Sequence, residues 1–152
     1  MPGTFLDTSA LAKHYHLEPG SAEVDRIWAD PGHALFISGV GVVEAVSVFA
    51  GKVRTGQLAA AAFDVLRKRF LNDVGHRRPK LVRLLVRHFK DAERLIRQYG
   101  LAQRIRTLDA LQLAVALDLR NRGLIDNLLS SDKHLLTAAR AEGILVIDPE
   151  NP

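Results

Sequence analysis

The chain has 152 residues, 47% of them hydrophobic, and a net charge of +4, which suits one compact domain over 1–152 and is too short for two comfortable ones. Zero cysteines exclude disulfides, thiolate catalysis and a Cys-containing zinc site, and are compatible with a reducing compartment. No basic leader with a long apolar run opens the chain, and no apolar run approaches the roughly 20 residues of a membrane helix, so a soluble, cytoplasmic protein is expected.

In chain order, "TFLD" (4–7) reads as a short apolar strand, and "SALAKHYH" starts a helix that must end near Pro19 and Gly20. "SAEVDRIWAD" predicts a second helix, closed by Pro31 and Gly32. "HALFIS" (33–38) is a β-rich run, and "VVEAVSVFAGKVRTG" (42–56) is a helix stopped by Gly56. Leu58, Ala61, Ala62, Val65 and Leu66 then fall at helical spacing, a pattern that fades before Gly75. In "PKLVRLL" the stretch Lys80 to Leu84 is read as a strand. Val86, Phe89, Ala92, Ile96 and Tyr99 mark a helix face ending at Gly100. "TLDALQLAVALDLRNRG" (107–123) is a nearly all-apolar helix, "NLLSS" (127–131) a strand, "DKHLLTAARAEG" a helix, and "ILVID" (144–148) a last strand. Strands alternating with helices predict an α/β layer fold with a largely parallel sheet.

The charge is segregated. Arg67 to Arg106 carries thirteen Lys or Arg against three acids (Asp73, Asp91, Glu93), so the remainder is net acidic. Such a stretch is either the solvated face of amphipathic helices or an electrostatic footprint for a phosphate backbone.

Four acids interrupt or terminate apolar segments. Asp7 ends the first strand, Glu44 lies near the start of the helix after the second, Asp109 opens the apolar helix, and Asp132 follows "NLLSS". In a parallel α/β sheet the carboxyl ends of the strands share one edge, where ligands bind, and Asp7 and Asp132 belong there. Taken singly, Asp7, Asp109 (behind a Thr107 cap) and Asp132 (behind Ser130 and Ser131) could each serve a helix N-terminus. Glu44 resists that explanation, because apolar residues surround it and no basic residue follows before Lys52. Clustered carboxylates repel one another unless they share protons or cations. An all-oxygen donor set selects Mg²⁺ or Mn²⁺, ions that activate water and stabilise a leaving oxygen at a phosphodiester.

The histidines offer no rival metal site. His14 and His16 lie two apart, and His33, His76, His88 and His134 are scattered, each expected to be exposed or half-buried. A Walker-type phosphate loop and a Gly-x-Ser-x-Gly elbow are both missing.

The ordered segments "FLDTSAL", "VVEAVSVF", "TLDALQLAVAL" and "LLSSDKHLLTAARAEGILVIDP" resemble the PIN-domain nucleases, in particular VapC-like toxins of toxin–antitoxin pairs, over essentially the whole chain. The resemblance implies a three-layer α/β/α sandwich with a mostly parallel central sheet. It also implies a Mg²⁺- or Mn²⁺-dependent phosphodiesterase site whose catalytic acids and metal ligands fall on Asp7, Glu44, Asp109 and Asp132. Ser130 stands where Thr is more usual, and Ser9 is the small hydroxyl residue after the first Asp; both are supporting hydroxyls in this scheme. Relatives act mainly on RNA, are usually homodimers, and are silenced by a small antitoxin, for which an Arg-bearing tail would suit an acidic groove. Arg104 and Arg106, close to Asp109, are candidate RNA-backbone contacts. The alternatives are a housekeeping RNA-processing or DNA-acting nuclease of the same fold, and a non-catalytic RNA- or protein-binding module.

Overall fold

A computed structural model describes residues 2–152. Five strands, β1 (Gly3–Leu6), β2 (Ala34–Ser38), β3 (Lys80–Val82), β4 (Asn127–Leu129) and β5 (Leu145–Ile147), form one sheet in the order β3-β2-β1-β4-β5. Every neighbouring pair is parallel, including β1 with both β2 and β4. Seven helices flank it among the described residues: α1 (Thr8–Tyr15), α2 (Ser21–Ala29), α3 (Gly39–Arg54), α4 (Ala60–Gly75), α5 (Val86–Tyr99), α6 (Thr107–Asn121) and α7 (Lys133–Ala141).

The inner strands β1, β2 and β4 are largely buried on both faces, as parallel strands covered by crossover helices must be, whereas Leu81 of β3 and Leu145 of β5 are exposed at the two edges of the sheet. Phe5, Phe36 and Leu128 point into a core shared with α5, α6 and α7, whereas Leu6, Leu35, Ile37 and Leu129 point into a second core with α1 to α4. The two-residue alternation of the strands thus separates the two helical layers of the expected α/β/α sandwich. At the amino end of β1 the packing admits only glycine, because a Cβ on Gly3 would stand 2.2 Å from the Leu124 carbonyl oxygen.

Several boundaries differ from the sequence reading. The helix expected from Val42 begins at Gly39, because the Ser38 hydroxyl accepts from the Gly41 amide and caps it three residues earlier. The strand expected over Lys80 to Leu84 stops at Val82, where its pairing with Ser38 of β2 ends. His88 is buried, not exposed or half-buried: its Nδ1 accepts from the Leu85 amide and its Nε2 faces Asp118. Thr107 is the first residue of α6, not its cap; Arg106 holds that position. No helix among the described residues is long and apolar enough to cross a membrane.

From β1 the chain winds outward to β2 and β3, then returns to place β4 and β5 on the other side of β1. The winding reverses between β1 and β4, and the crevice at their carboxyl ends is where such a sheet accommodates ligands.

Candidate active site

Register places the first acid. Leu6 pairs with Leu129, and the Asp7 amide extends the ladder to the Leu129 carbonyl, so Asp7 and Ser130 emerge side by side at the switch point. The hydroxyls of Ser9 and Ser130 donate to Asp7 Oδ2 at 2.7 and 2.9 Å. Those hydroxyls in turn accept the Ser131 and Asp132 amides, which fastens the loop after β4 to the start of α1. Asp7 stands at the N-cap of α1 without a side-chain capping bond. Burial pushes its carboxyl above the ordinary range; the two serine hydroxyls oppose that, and Glu44 adds to it.

Glu44 projects from the second turn of α3. Its Oε2 accepts from Gln112 Nε2 at 2.6 Å and from the Thr8 hydroxyl at 3.0 Å, and Gln112 also donates to Thr8. Burial raises the Glu44 carboxyl, Asp109 adds to the rise, and Thr8, Gln112 and Arg106 oppose it. The sequence reading missed Thr8 and Gln112. A signal for the latter was present, since an amide three residues after Asp109 in an apolar helix is as anomalous as the carboxylate.

Asp109 sits in the first turn of α6, where its Oδ2 accepts the Arg106 amide at 3.0 Å. Burial again raises its carboxyl; that amide and the Arg106 charge oppose the rise, and Asp7 and Asp132 reinforce it. Asp132 caps α7, its Oδ1 accepting the His134 and Leu135 amides. Glu44, Asp109 and Asp132 therefore each commit one oxygen to protein donors, and the other has no hydrogen-bond partner among the described residues.

All four acids line one cavity of about 400 Å³, with Ser9, Arg106 and Leu108 among its other walls. Arg104 lies outside it, exposed, with its amide donating to His134 Nδ1. As the side chains stand, no three carboxylates or imidazoles are grouped tightly enough to hold one ion among the described residues. The donor chemistry nevertheless fits a hard divalent cation. The groups are oxygen-only, three are raised by burial, their charges reinforce one another, and Arg106 is the cation that opposes the rise at Glu44 and Asp109.

The basic stretch does not form one free face. Arg67 pairs with Asp64, Arg94 with Asp91 and Glu142, and Arg97 with Glu93. Arg78 donates to the carbonyls of His33, Asp30 and Trp28, joining the segment before β3 to the loop before β2.

A family model described as PIN domain matches residues 4–141. Among solved structures, the chain is similar to Mycobacterium tuberculosis VapC20, a sarcin–ricin loop cleaving toxin, with 17% identity, a TM-score of 0.66, and coverage of 93% of this chain and 96% of that one. It is similar to FitAcB from Neisseria gonorrhoeae at 18% identity and a TM-score of 0.65, covering 96% and 97%. A toxin–antitoxin complex from Klebsiella pneumoniae matches at 15% identity and a TM-score of 0.62, covering 98% and 99%. No curated protein matches the sequence.

Proposed function

The chain belongs to the PIN-domain family of nucleases, and from that premise we propose that it is a metal-dependent endoribonuclease, the toxin of a toxin–antitoxin pair. The observation that carries this reading is the convergence of Asp7, Glu44, Asp109 and Asp132 on one cavity at the switch point of the sheet. Asp7, Glu44 and Asp109 would hold Mg²⁺ or Mn²⁺, with Asp132 supporting it through water. Such an ion would supply Lewis acidity and lower the pKa of a bound water.

The protein's own residues do the rest. Ser9 and Ser130 fix Asp7, and Thr8 and Gln112 fix Glu44, so two carboxylates keep their places as the substrate enters. Arg106, on the cavity rim, neutralises a backbone phosphate beside the cut. The apolar walls, Val48 and Leu108, exclude water from one side of the strand.

An antitoxin with an Arg-bearing tail is the partner that suits an acidic cavity, and the toxin–antitoxin assembly among the structural neighbours supports that reading. A homodimer would cover the apolar groove between α5 and α6, where Phe89 and Ile96 are exposed. The test compares wild type with Asp109→Asn on total RNA, with Mg²⁺ or Mn²⁺ and with chelator. Cleavage by wild type alone, abolished by chelator, is expected; equal cleavage by the variant, or indifference to chelator, refutes the mechanism.

A further inference from the structure

A second charged cavity lies at the opposite end of α6. Asp118 Oδ2 is its hub, 2.9 Å from Arg87 Nη2, 2.8 Å from His88 Nε2 and 3.9 Å from Arg122 Nη1. His88 Nδ1 accepts the Leu85 amide, which leaves its Nε2 to face Asp118. Arg83 lines the same cavity of about 280 Å³ and makes no ion pair among the described residues. Three guanidiniums therefore line a cavity that holds one carboxylate, and Arg87 and Arg122 are more than half exposed. Their remaining donors point to a ligand that brings negative charge.

The floor of the cavity is apolar, with Phe36, Leu81, Leu119 and Leu124 beneath the arginine rim. That combination matches one unit of a polynucleotide, a flat base on an apolar surface with its phosphate among guanidiniums. The adjacent edge strand β3 argues against a peptide docked as a sixth strand: it is three residues long, begins with Lys80 and is followed by Arg83, features that blunt an edge.

We propose that the cavity rimmed by Arg83, Arg87 and Arg122 is a second anchoring site for the phosphodiester backbone of a polynucleotide. Naming that polynucleotide as the substrate rests on the endoribonuclease reading. Asp109 and Asp118 lie nine positions apart on α6, about 14 Å along its axis and on opposite sides of it. The anchor thus grips a segment away from the cut. No residue lines both cavities, so the two are separable by mutation.

The test measures fluorescence anisotropy of a labelled oligouridylate, about 12 nucleotides long, in chelator across a salt series, with Arg83→Gln, the triple Arg83→Gln/Arg87→Gln/Arg122→Gln, and wild type. The triple variant is expected to bind about tenfold more weakly and to flatten the slope of log K against log salt by about 2, and Arg83→Gln alone by about 0.7. Arg83 has no internal ion pair to lose, so its single variant reports on the site even where the triple variant melts early. Wild-type affinity and slope in Arg83→Gln overturn the proposal, as does a cavity that binds oligoglutamate through these arginines while the oligonucleotide ignores them. Cleavage of total RNA is assayed in parallel. Arginine-dependent binding without cleavage refutes the nuclease reading and keeps the anchor; cleavage with arginine-independent binding does the reverse.

Discussion

Gln112 Nε2 donates to Glu44 Oε2 across 2.6 Å, joining α6 to α3 beneath the carboxylate cavity. The amide is fully buried, and its Oε1 has no partner among the described residues. An unpaired buried carbonyl is costly, so this side chain is retained at the expense of stability for what its nitrogen does.

Gln112→Leu is accordingly predicted to leave stability within about 2 kcal/mol of wild type. The lost hydrogen bonds, worth about 1.5–3 kcal/mol to Glu44 and about 0.5–1.5 kcal/mol to Thr8, are largely offset by removal of the unsatisfied oxygen, worth about 1–3 kcal/mol. Mn²⁺ affinity, read by calorimetry, is expected to fall about tenfold as Glu44 loses its restraint. Unchanged affinity would detach Gln112 from the site.

The raised carboxyls set a pH signature. Asp7, Glu44 and Asp109 hold protons more tightly folded than unfolded, so they favour the folded state below their unfolded pKa values, and that advantage is lost as pH rises through the folded ones. Glu18, Glu142 and Asp118 are lowered by their cationic partners and contribute in the other direction, losing their stabilisation as pH falls through their folded values. In chelator, the melting temperature is therefore expected to rise on mild acidification from neutral pH, then fall at stronger acid. Asp7→Asn should melt higher than wild type at neutral pH and lack part of that rise. Saturating Mn²⁺ should stabilise wild type at neutral pH, by about 2.7 kcal/mol at a hundredfold excess over Kd, and Asp109→Asn far less. A flat profile in chelator would contradict the electrostatic account.

Ser130 holds two acids at once, donating to Asp7 Oδ2 and accepting the Asp132 amide. Ser130→Ala is predicted to destabilise the fold by about 1.5–3 kcal/mol in chemical denaturation, because the bond it removes ends on a buried carboxylate. Ser130→Thr keeps the hydroxyl and should stay within about 1 kcal/mol. Equal losses in both variants would point to crowding, not the hydroxyl.

The α/β order was legible because alternation and helical periodicity are local properties: "TFL", "ALFIS" and "NLL" all became strands, and each candidate helix formed. Boundaries slipped where one side chain decided them, as at Ser38, or where a neighbouring strand ran out, as at Val82. His88 was misread because its burial depends on Asp118, thirty residues away.

Asp109 shows where sequence stops and tertiary structure takes over. By itself the sequence determined that an apolar helix carries one carboxylate in its first turn, and that three other acids end or interrupt apolar segments, because chemical type and spacing are written in the chain. Only the fold decided which of them meet. The reversal of winding between β1 and β4 brings Asp7 beside Ser130, and the packing of α3 and α6 carries Glu44 onto Gln112 and Thr8. The helix-cap and site readings, alternatives in the sequence, coexist at Asp132, whose Oδ1 caps α7 while the residue lines the cavity. A carboxylate has two oxygens, and where each one points is fixed by residues distant in the chain.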